Sequence, residues 1–289
     1  MMKDLVIILS FFAFWMGACI ASFLNVVIWR VPRGESIVSP PSHCPKCNAP
    51  IKWYQNLPIV AWLALRGKCA NCKAPISPRY ILIEALGGCL FLAVFLHYFV
   101  YIGAPLVDVT TWIMVLVYWI WISLMVVGSM IDYDLQLLPD FVTVGGMILG
   151  LVANGFFLLV YWPLIVGTTG FLWKDFLLQP VLGLVFGFGL LWFIRWLGGV
   201  AFKREAMGMG DVFLMGAVGA LFGPVAVLVT LILSSVVGSV VGLGMVALQK
   251  TRLGGFAAIP YGPYICLGCL IWMFRGPELV NWYVSLLTR

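Results

Sequence analysis

Long uncharged apolar runs, separated by short polar connections, follow one another along almost the whole chain. A helix needs about 20 mostly apolar residues to cross the hydrocarbon core of a bilayer. Runs near that length lie at 5–29, 80–104, 110–131, 141–162, 177–194, 225–248 and 257–274, and a shorter one begins at Asp211 and ends near Gly223. The pattern predicts an all-α polytopic membrane protein with about eight transmembrane helices.

The composition agrees with this prediction. Of the 289 residues, 63% are hydrophobic and 10% are charged, whereas ordinary soluble domains contain about 25% charged residues. The first run is longer than the apolar core of a signal peptide, has a nearly neutral start, and is followed by Arg30 and Arg33. We therefore expect a retained first helix with its amino end outside.

Basic residues are concentrated on one side of the predicted topology. Of the 17 Lys and Arg residues, eight lie in 30–79, three in 195–204 and two in 250–252. Cytoplasmic loops carry an excess of Lys and Arg, so these segments are predicted to be cytoplasmic. Topology accounts for the net charge of +6, and we expect no nucleic acid partner. Residues 163–176 are predicted to form an outward loop, to which no role is assigned.

The polar segment 30–79 contains two cysteine pairs with the spacing of a metal site. Cys44-x-x-Cys47 is followed after 21 residues by Cys69-x-x-Cys72, and the sequences around the two pairs repeat one another. Four thiolates suit tetrahedral zinc, and four protein ligands leave no open position, so the site is predicted to be structural. Two disulfides or four free thiols are the alternatives, and a cytosolic location disfavours disulfides.

The stretch between the cysteine pairs, from Trp53 to Leu63, is rich in aromatic and apolar residues. Such a stretch is typical of a platform that rests at the lipid headgroups. The alternative is that it forms the core of the small cysteine domain itself.

Two acidic residues lie at the ends of apolar runs, where a charge is costly and a functional role is the first hypothesis. Asp132 follows the run 110–131 and Asp211 begins the short one, so the topology puts both on the cytoplasmic side. Two carboxylates that meet can share a proton, because like charges about 3 Å apart cannot both ionise. One then acts as a base toward water and the other donates a proton to a substrate carbonyl, which is aspartyl peptide hydrolysis.

Spacing alone leaves other interpretations open. Asp211 could be a helix cap, the glycines before it could serve helix packing, and Asp132, Asp134 and Asp140 could mark a solvated loop. We interpret Asp140 as a cap rather than a catalyst. The segment 260–263 interrupts the last run, and broken backbone of this kind is tolerated where it lines a cavity or is buried in protein. It could therefore wall the site.

Several motifs follow one another in a characteristic order. They are Ala21–Val27 with Arg30 and Pro32, the two CxxC pairs, Ile76–Tyr80 with Glu84, Ile131–Asp140, Gly208-Met209-Gly210-Asp211 and Ile259–Tyr264. Together they resemble the type IV prepilin peptidases, bifunctional leader peptidases and N-methyltransferases that are intramembrane aspartyl proteases of the GxGD type. The resemblance covers nearly the whole chain.

The resemblance implies that Asp132 and Asp211 are the catalytic pair, with Asp132 preferred over Asp134 by its position in the motif. It implies prepilins or type II secretion pseudopilins as substrates, with a short basic leader cut after a glycine at the cytoplasmic face of a bacterial inner membrane. It also implies that the new amino terminus is methylated with S-adenosylmethionine.

We predict three segments. Residues 1–29 form the first transmembrane helix, 30–79 a cytoplasmic four-cysteine zinc domain that is also the candidate region for methyl transfer, and 80–289 a transmembrane aspartyl peptidase domain. No glycine-rich nucleotide fingerprint follows a strand, so methyl transfer rests on the resemblance. Glu35 and Glu84 are the polar candidates for a methyl-transfer site in this region. The alternative is that each is a partner in a structural ion pair.

Three other functions compete with this interpretation. The chain could be an aspartyl protease of the same type without methylation, a proton-coupled transporter with aspartate relays, or an inactive scaffold that uses the four-cysteine domain for docking. The four-cysteine domain argues against an aspartyl protease of the same type without methylation. Transporters place such groups near the midplane between internal repeats, whereas here they lie at helix ends and no repeated halves are visible.

Overall fold

The computed structural model describes residues 2–165, 178–203, 207–248 and 260–288, and within these ranges the chain is helical. Its α-helices are α1 (Met2–Arg30), α2 (Val60–Ala64), α3 (Pro78–Leu96), α4 (Val109–Leu135), α5 (Asp140–Ile165), α6 (Gln179–Phe202), α7 (Met209–Phe222), α8 (Pro224–Ala247) and α9 (Gly262–Leu287). In the described ranges, extended pairing is limited to two isolated bridges in the cysteine segment. The predicted all-α class is confirmed.

Six of the described helices are long and apolar enough to cross a membrane, namely α1, α3, α4, α5, α6 and α8. The helix that begins near Asp211 is shorter, as expected, with 14 residues. The last one differs from its predicted range of 257–274. It begins at Gly262 and continues to Leu287, and Arg275 and Glu278 in its second half make it more polar than the other six.

The predicted outward loop falls mostly outside the described residues. Helix α5 continues to Ile165, and residues 166–177 are not among those described. The role of 163–176 therefore stays unassigned.

The chain divides into two compact units, 1–127 (unit 1) and 128–289 (unit 2). These units are defined by packing, whereas the predicted boundaries at 29/30 and 79/80 follow changes in polarity. The latter stay predictions.

In unit 1, α1 packs along α3 through small residues. A Cβ atom added to Gly17 would lie 2.5 Å from the carbonyl oxygen of Gly87, so the two backbones approach more closely than any larger residue permits. Close approach through small residues is a common way for membrane helices to associate. The outer face of α1 carries large exposed apolar side chains such as Phe11 and Phe12, which suit contact with lipid.

In unit 2, the short helix α7 is surrounded by α5, α6, α8 and α9. Nine of its 14 residues are buried, which agrees with a sequence that is apolar on all sides. Gly183 of α6 and Gly219 of α7 contact each other through their backbones. The helix ends at Phe222, and the following Gly223, with a φ of 83°, redirects the chain into α8. Asp211, in its first turn, is therefore held at the entrance to a packed core.

Candidate active site and metal centre

The two cysteine pairs form two copies of the same backbone turn. In each copy the N–H of the first cysteine donates to the carbonyl of the alanine five residues later, at 3.0 Å from Cys44 and 2.8 Å from Cys69. The residue after the second cysteine has left-handed backbone in both, with φ of 55° at Asn48 and 59° at Lys73. The sequence repeat is thus a structural repeat.

The four cysteine sulfurs of these turns converge. The Sγ atoms of Cys44, Cys47, Cys69 and Cys72 all lie within 4.8 Å of one another, and those of Cys44 and Cys72 are 3.8 Å apart. Tetrahedral zinc with Zn–S bonds of about 2.3 Å holds its sulfurs about 3.8 Å apart, whereas a disulfide needs about 2.05 Å. The cysteines are not bridged, and the cluster has the dimensions of a metal site with four thiolate ligands.

The electrostatics of the cluster also favour a cation. Backbone N–H groups of Cys72 and Asn71 lower the pKa of the Cys69 thiol to about 6. The N–H of Ala74 favours the Cys72 thiolate in the same way, yet burial and the neighbouring cysteine sulfurs raise the pKa of Cys72 to about 11. Four thiolates this close repel one another, and a bound cation would remove that cost.

The aromatic stretch between the pairs lies at the surface of unit 1. Trp53 is 79% exposed, and Tyr54, Leu57, Val60 and Leu63 are exposed as well. A core would bury these side chains, so the structure favours the platform over the alternative of a small aromatic core.

In unit 2, Asp132 and Asp211 are both buried, at 6% and 8% exposure, and lie near enough for their charges to influence one another. Asp132 lies in the last turn of α4, and Asp211 lies in the first turn of α7. The structure therefore brings together the two residues that the sequence paired. Their catalytic role stays a prediction at this point, because burial and pairing alone do not show chemistry.

Asp132 is held by the start of α9. The N–H of Gly262, the first residue of that helix, donates to Asp132 Oδ2 at 2.8 Å. The partial positive charge of a helix N-terminus favours an anion at this position. A Cβ on Gly262 would lie 2.7 Å from the same oxygen, so only glycine allows this approach. The preceding Tyr261 anchors the turn, because its hydroxyl lies 2.7 Å from Ser234 Oγ on α8.

Asp211 has one satisfied and one unsatisfied oxygen. The N–H of Gly208 forms a hydrogen bond with its carboxylate, while Oδ1 is buried with no hydrogen-bond partner among the described residues. Buried polar atoms nearly always have partners, so an unsatisfied one in a native site calls for an explanation. Water or a substrate is the natural partner for Oδ1.

The two glycines before Asp211 have different surroundings. A Cβ on Gly210 would lie 2.7 Å from the Cβ of Leu138, so this glycine is required for packing. Among the described residues, a Cβ on Gly208 would meet only Asp211 Oδ2, at 3.6 Å, and Gly210 N, at 4.0 Å. Gly208 is also exposed. The space beside the Asp211 carboxylate is therefore open at Gly208.

The other acidic residues of this region are placed differently. Asp134 is exposed, two residues beyond Asp132. Asp140 is exposed too and is the first residue of α5, the helix start expected for it. Neither residue shares the burial of the pair.

Cys266 is a neighbour of the pair that sequence analysis did not identify. Its spacing to Cys269 is that of half a metal site, but the described residues offer no further ligands there. Cys266 is buried, its side chain is hydrogen-bonded to Ser129, and its thiol interacts electrostatically with Asp132 and Asp211. In the sequence, the only signal for the contact between Cys266 and Ser129 is that Ser129 lies one helical turn before Asp132 on α4.

The two polar candidates of the 30–84 region also differ. Glu35 is exposed. Glu84 is buried on α3, and its Oε2 accepts a hydrogen bond of 2.7 Å from the N–H of Ile59. Among the described residues, the hydrogen-bond partner of Glu84 is therefore a backbone amide rather than the cation of an ion pair.

Comparison with known proteins shows two family matches along the chain. Residues 15–98 match the bacterial peptidase A24 N-terminal domain, and residues 119–243 match the type IV leader peptidase family. A prepilin leader peptidase/N-methyltransferase of Stutzerimonas stutzeri is 33% identical, over 93% of this chain and 92% of that protein. The chain belongs to the type IV leader peptidase family.

Other relatives have similar names. A prepilin leader peptidase/N-methyltransferase of Aeromonas hydrophila is 32% identical over 94% of this chain and 92% of its own length. A type 4 prepilin-like proteins leader peptide-processing enzyme of Escherichia coli O78:H11 is 34% identical over 87% and 88%. No solved structure matches the chain.

Membership of the leader peptidase family makes this chain a multi-pass membrane enzyme and leaves the transporter and scaffold interpretations without support. The match over 119–243 contains both Asp132 and Asp211, and the match over 15–98 contains the four-cysteine cluster. Gly262 lies outside both matched ranges. The sequence predicted that segment 260–263 could wall the site, and the structure adds the hydrogen bond from Gly262 to Asp132.

Proposed function

We propose that this protein cuts the leader peptide from type IV prepilins, type II secretion pseudopilins or both at the cytoplasmic membrane face, with Asp132 and Asp211 as the catalytic pair. The observation that carries the proposal is the pairing of two buried aspartates at helix ends whose charges interact. The unpartnered Oδ1 of Asp211 supports it, because a reacting group would complete its hydrogen bonding. The names of the relatives support the substrate class.

Hydrolysis needs one carboxylate as base and one carboxyl group as acid. The base takes a proton from water as the water oxygen bonds to the scissile carbonyl carbon. The acid gives its proton to the carbonyl oxygen in the same step, which forms a tetrahedral diol. The former base then gives its new proton to the amide nitrogen as the C–N bond breaks, and the other carboxylate takes a proton from a diol hydroxyl, so the pair ends with one proton, as it began. The amides of Gly262 and Gly208 hold the two carboxylates in position before the reaction.

The open space beside Gly208 suits the approach of a peptide. An extended substrate presents its backbone to the catalytic pair, and the missing side chain at Gly208 leaves room on that side of Asp211. The exposed position of Gly208 gives this space access from outside the packed core. We expect a leader peptide to approach the pair from this side.

The second proposed activity is methylation of the new amino terminus. S-adenosylmethionine, when bound, would supply a methyl group to the neutral amine. The methylated amine then loses one proton, and S-adenosylhomocysteine is the other product. The names of the relatives support this activity.

The proposed structural metal is zinc, held by Cys44, Cys47, Cys69 and Cys72. The sulfur spacing fits a tetrahedral site, and all four positions are taken by protein. The domain around it is small and has an exposed apolar surface. Metal binding would stabilise that domain by about 10–16 kcal/mol, the range found for small zinc domains.

The function is tested with the full chain in lipid nanodiscs and a purified prepilin. We expect mass spectrometry to detect loss of the leader, and in the presence of S-adenosylmethionine a gain of one methyl group on the mature fragment only. A prepilin that stays uncut would contradict the proposal. Cleavage without any methyl gain would remove the second activity and leave the first.

Metal analysis tests the zinc assignment. We expect about one zinc per chain in the wild type and loss of most of it in Cys44→Ser, since three ligands hold the metal less tightly than four. Limited proteolysis within 36–76 should then become faster, because the small domain loses its metal. Cys89→Ser, a change of an exposed cysteine on α3, is the control. Wild-type zinc content in Cys44→Ser would contradict the assignment.

A further inference from the structure

A cavity of about 380 Å³ lies in unit 1 against the second half of α1. On α1 its lining runs along one stripe from Cys19 past Phe23 to Arg30, and the irregular segments 37–42 and 56–58 close the other side. Arg30 lies eleven positions after Cys19, so the stripe extends roughly 16 Å along the helix. Pockets of about 300–1,000 Å³ hold single small molecules. The cavity has the size and length for one extended ligand.

One end of the cavity carries a charge that no described residue neutralises. Arg30 is 9% exposed, and its guanidinium donates to the carbonyl oxygens of Ser36 and Pro40, each at 2.8 Å. No carboxylate among the described residues pairs with it. Buried charges are normally paired, and a guanidinium has five donors, so several stay available here. This end therefore suits a carboxylate.

Neutral groups along the cavity suit a flat heteroaromatic ring. Phe23 is half exposed and offers a ring face. The Asn56 amide lines the cavity and makes no hydrogen bond to the described residues, and the Ser22 hydroxyl is in the same situation. An Asn amide matches the donor and acceptor pattern of an adenine edge. The lining thus combines a ring face with unused polar groups.

The wall that carries Asn56 is held in a strained conformation. Ile59 has φ of 61°, which is unusual for a β-branched residue. The buried Glu84 carboxylate accepts a hydrogen bond from the Ile59 N–H and thereby fixes the chain that follows Pro58. Strain that the surrounding structure maintains is often found at binding sites. Glu84 is therefore a positioning residue for this wall.

We propose that this cavity binds the methyl donor, S-adenosylmethionine, with Arg30 pairing with its carboxylate and with Phe23 and Asn56 contacting its adenine. The inference rests on the proposed methyl transfer and adds its site. It assigns methyl transfer to unit 1, whereas the aspartate pair lies in unit 2.

Alkylation of Cys19 tests the site without measuring activity. Cys19 lines the cavity and is exposed, and Cys89 is an exposed cysteine that does not line it. The zinc-loaded full chain is treated with N-ethylmaleimide, and the rates at both residues are read by peptide mass spectrometry. We expect S-adenosylhomocysteine to slow alkylation of Cys19 several-fold and to leave Cys89 unchanged. Methylthioadenosine, which lacks the carboxylate, should protect Cys19 less.

Variants sharpen the test. Asn56→Ala should reduce protection by S-adenosylhomocysteine, and Arg30→Lys should reduce the preference for it over methylthioadenosine. Lys52→Gln, an exposed change in the same segment that does not line the cavity, should behave as the wild type. Zinc content verifies that each variant has folded.

Two results would overturn the assignment. One is an enzyme that methylates its product while S-adenosylhomocysteine leaves the Cys19 rate unchanged. The other is protection of Cys19 by phosphatidylglycerol but not by S-adenosylhomocysteine, which would make the cavity a lipid site. Absence of methyl gain in the wild type would count against the proposed methyl transfer itself, and protection of Cys19 would then still support donor binding.

Discussion

Asp132→Asn and Asp211→Asn are each expected to slow leader cleavage by about 10²–10⁴-fold, the usual contribution of a general acid or base. Asparagine has nearly the same shape as aspartate but can neither accept the proton of water nor return it. Both side chains are buried and their like charges repel one another, so removing one charge should not destabilise the fold. The measurement is the single-turnover rate of leader loss from a prepilin in nanodiscs.

Asp134→Asn is the matched control, because Asp134 is exposed and lies only two residues from Asp132. We expect its cleavage rate to stay within a factor of a few of the wild-type rate. Wild-type cleavage by either Asp132→Asn or Asp211→Asn would exclude the aspartate pair as the catalyst. Methylation of a pre-cut peptide should continue in both variants.

Gly262→Ala should reduce the cleavage rate by about 10²-fold, the cost of misplacing a catalytic group by about 1 Å. The added Cβ would lie 2.7 Å from Asp132 Oδ2, which is too close, so the carboxylate must move away from the Gly262 amide. The effect should appear mainly in kcat, since the substrate still binds. Rates measured over a range of prepilin concentrations separate kcat from KM.

Two alanine variants control for the substitution itself. Gly189→Ala places a Cβ on α6 with no described atom within 4 Å and should be neutral. Gly268→Ala creates a clash elsewhere on α9, with the Thr230 carbonyl oxygen at 2.8 Å, so it tests whether any packing defect in α9 slows cleavage. A Gly262→Ala enzyme as active as the wild type would show that the α9 amide does not position Asp132.

The helices and the cysteine cluster could be predicted because their signals are local. Each long apolar run satisfies its own backbone hydrogen bonds as a helix in lipid, so length and hydropathy identify it. The two CxxC turns likewise repeat the same eight-residue sequence pattern, and each turn forms its own backbone bonds around Cys44 or Cys69. The last helix was less predictable, because Arg275 and Glu278 interrupt the apolar signal while the helical backbone continues to Leu287.

The pairing of Asp132 with Asp211 was predicted from topology alone. The positive-inside rule assigns a side of the membrane to each helix end, and two charges at ends on one side are candidates for contact. Topology does not specify which oxygen is held or left free. That information comes from the start of α9, more than a hundred residues along the chain from Asp132.

The sequence by itself determined that this protein is a helical membrane enzyme of the leader peptidase type, with four cysteines and two aspartates as its chemical groups. Composition and run length identify the membrane helices, and residue spacing identifies the paired cysteines and aspartates, because each signal acts over a few neighbouring residues, whereas the leader peptidase type follows from the resemblance of the ordered motifs. Only the tertiary structure decided that Gly262 donates to Asp132, that Asp211 Oδ1 has no described partner, and that Arg30 ends a cavity without a carboxylate. These features depend on the close approach of distant helices and loops, and no periodicity in the sequence records such contacts.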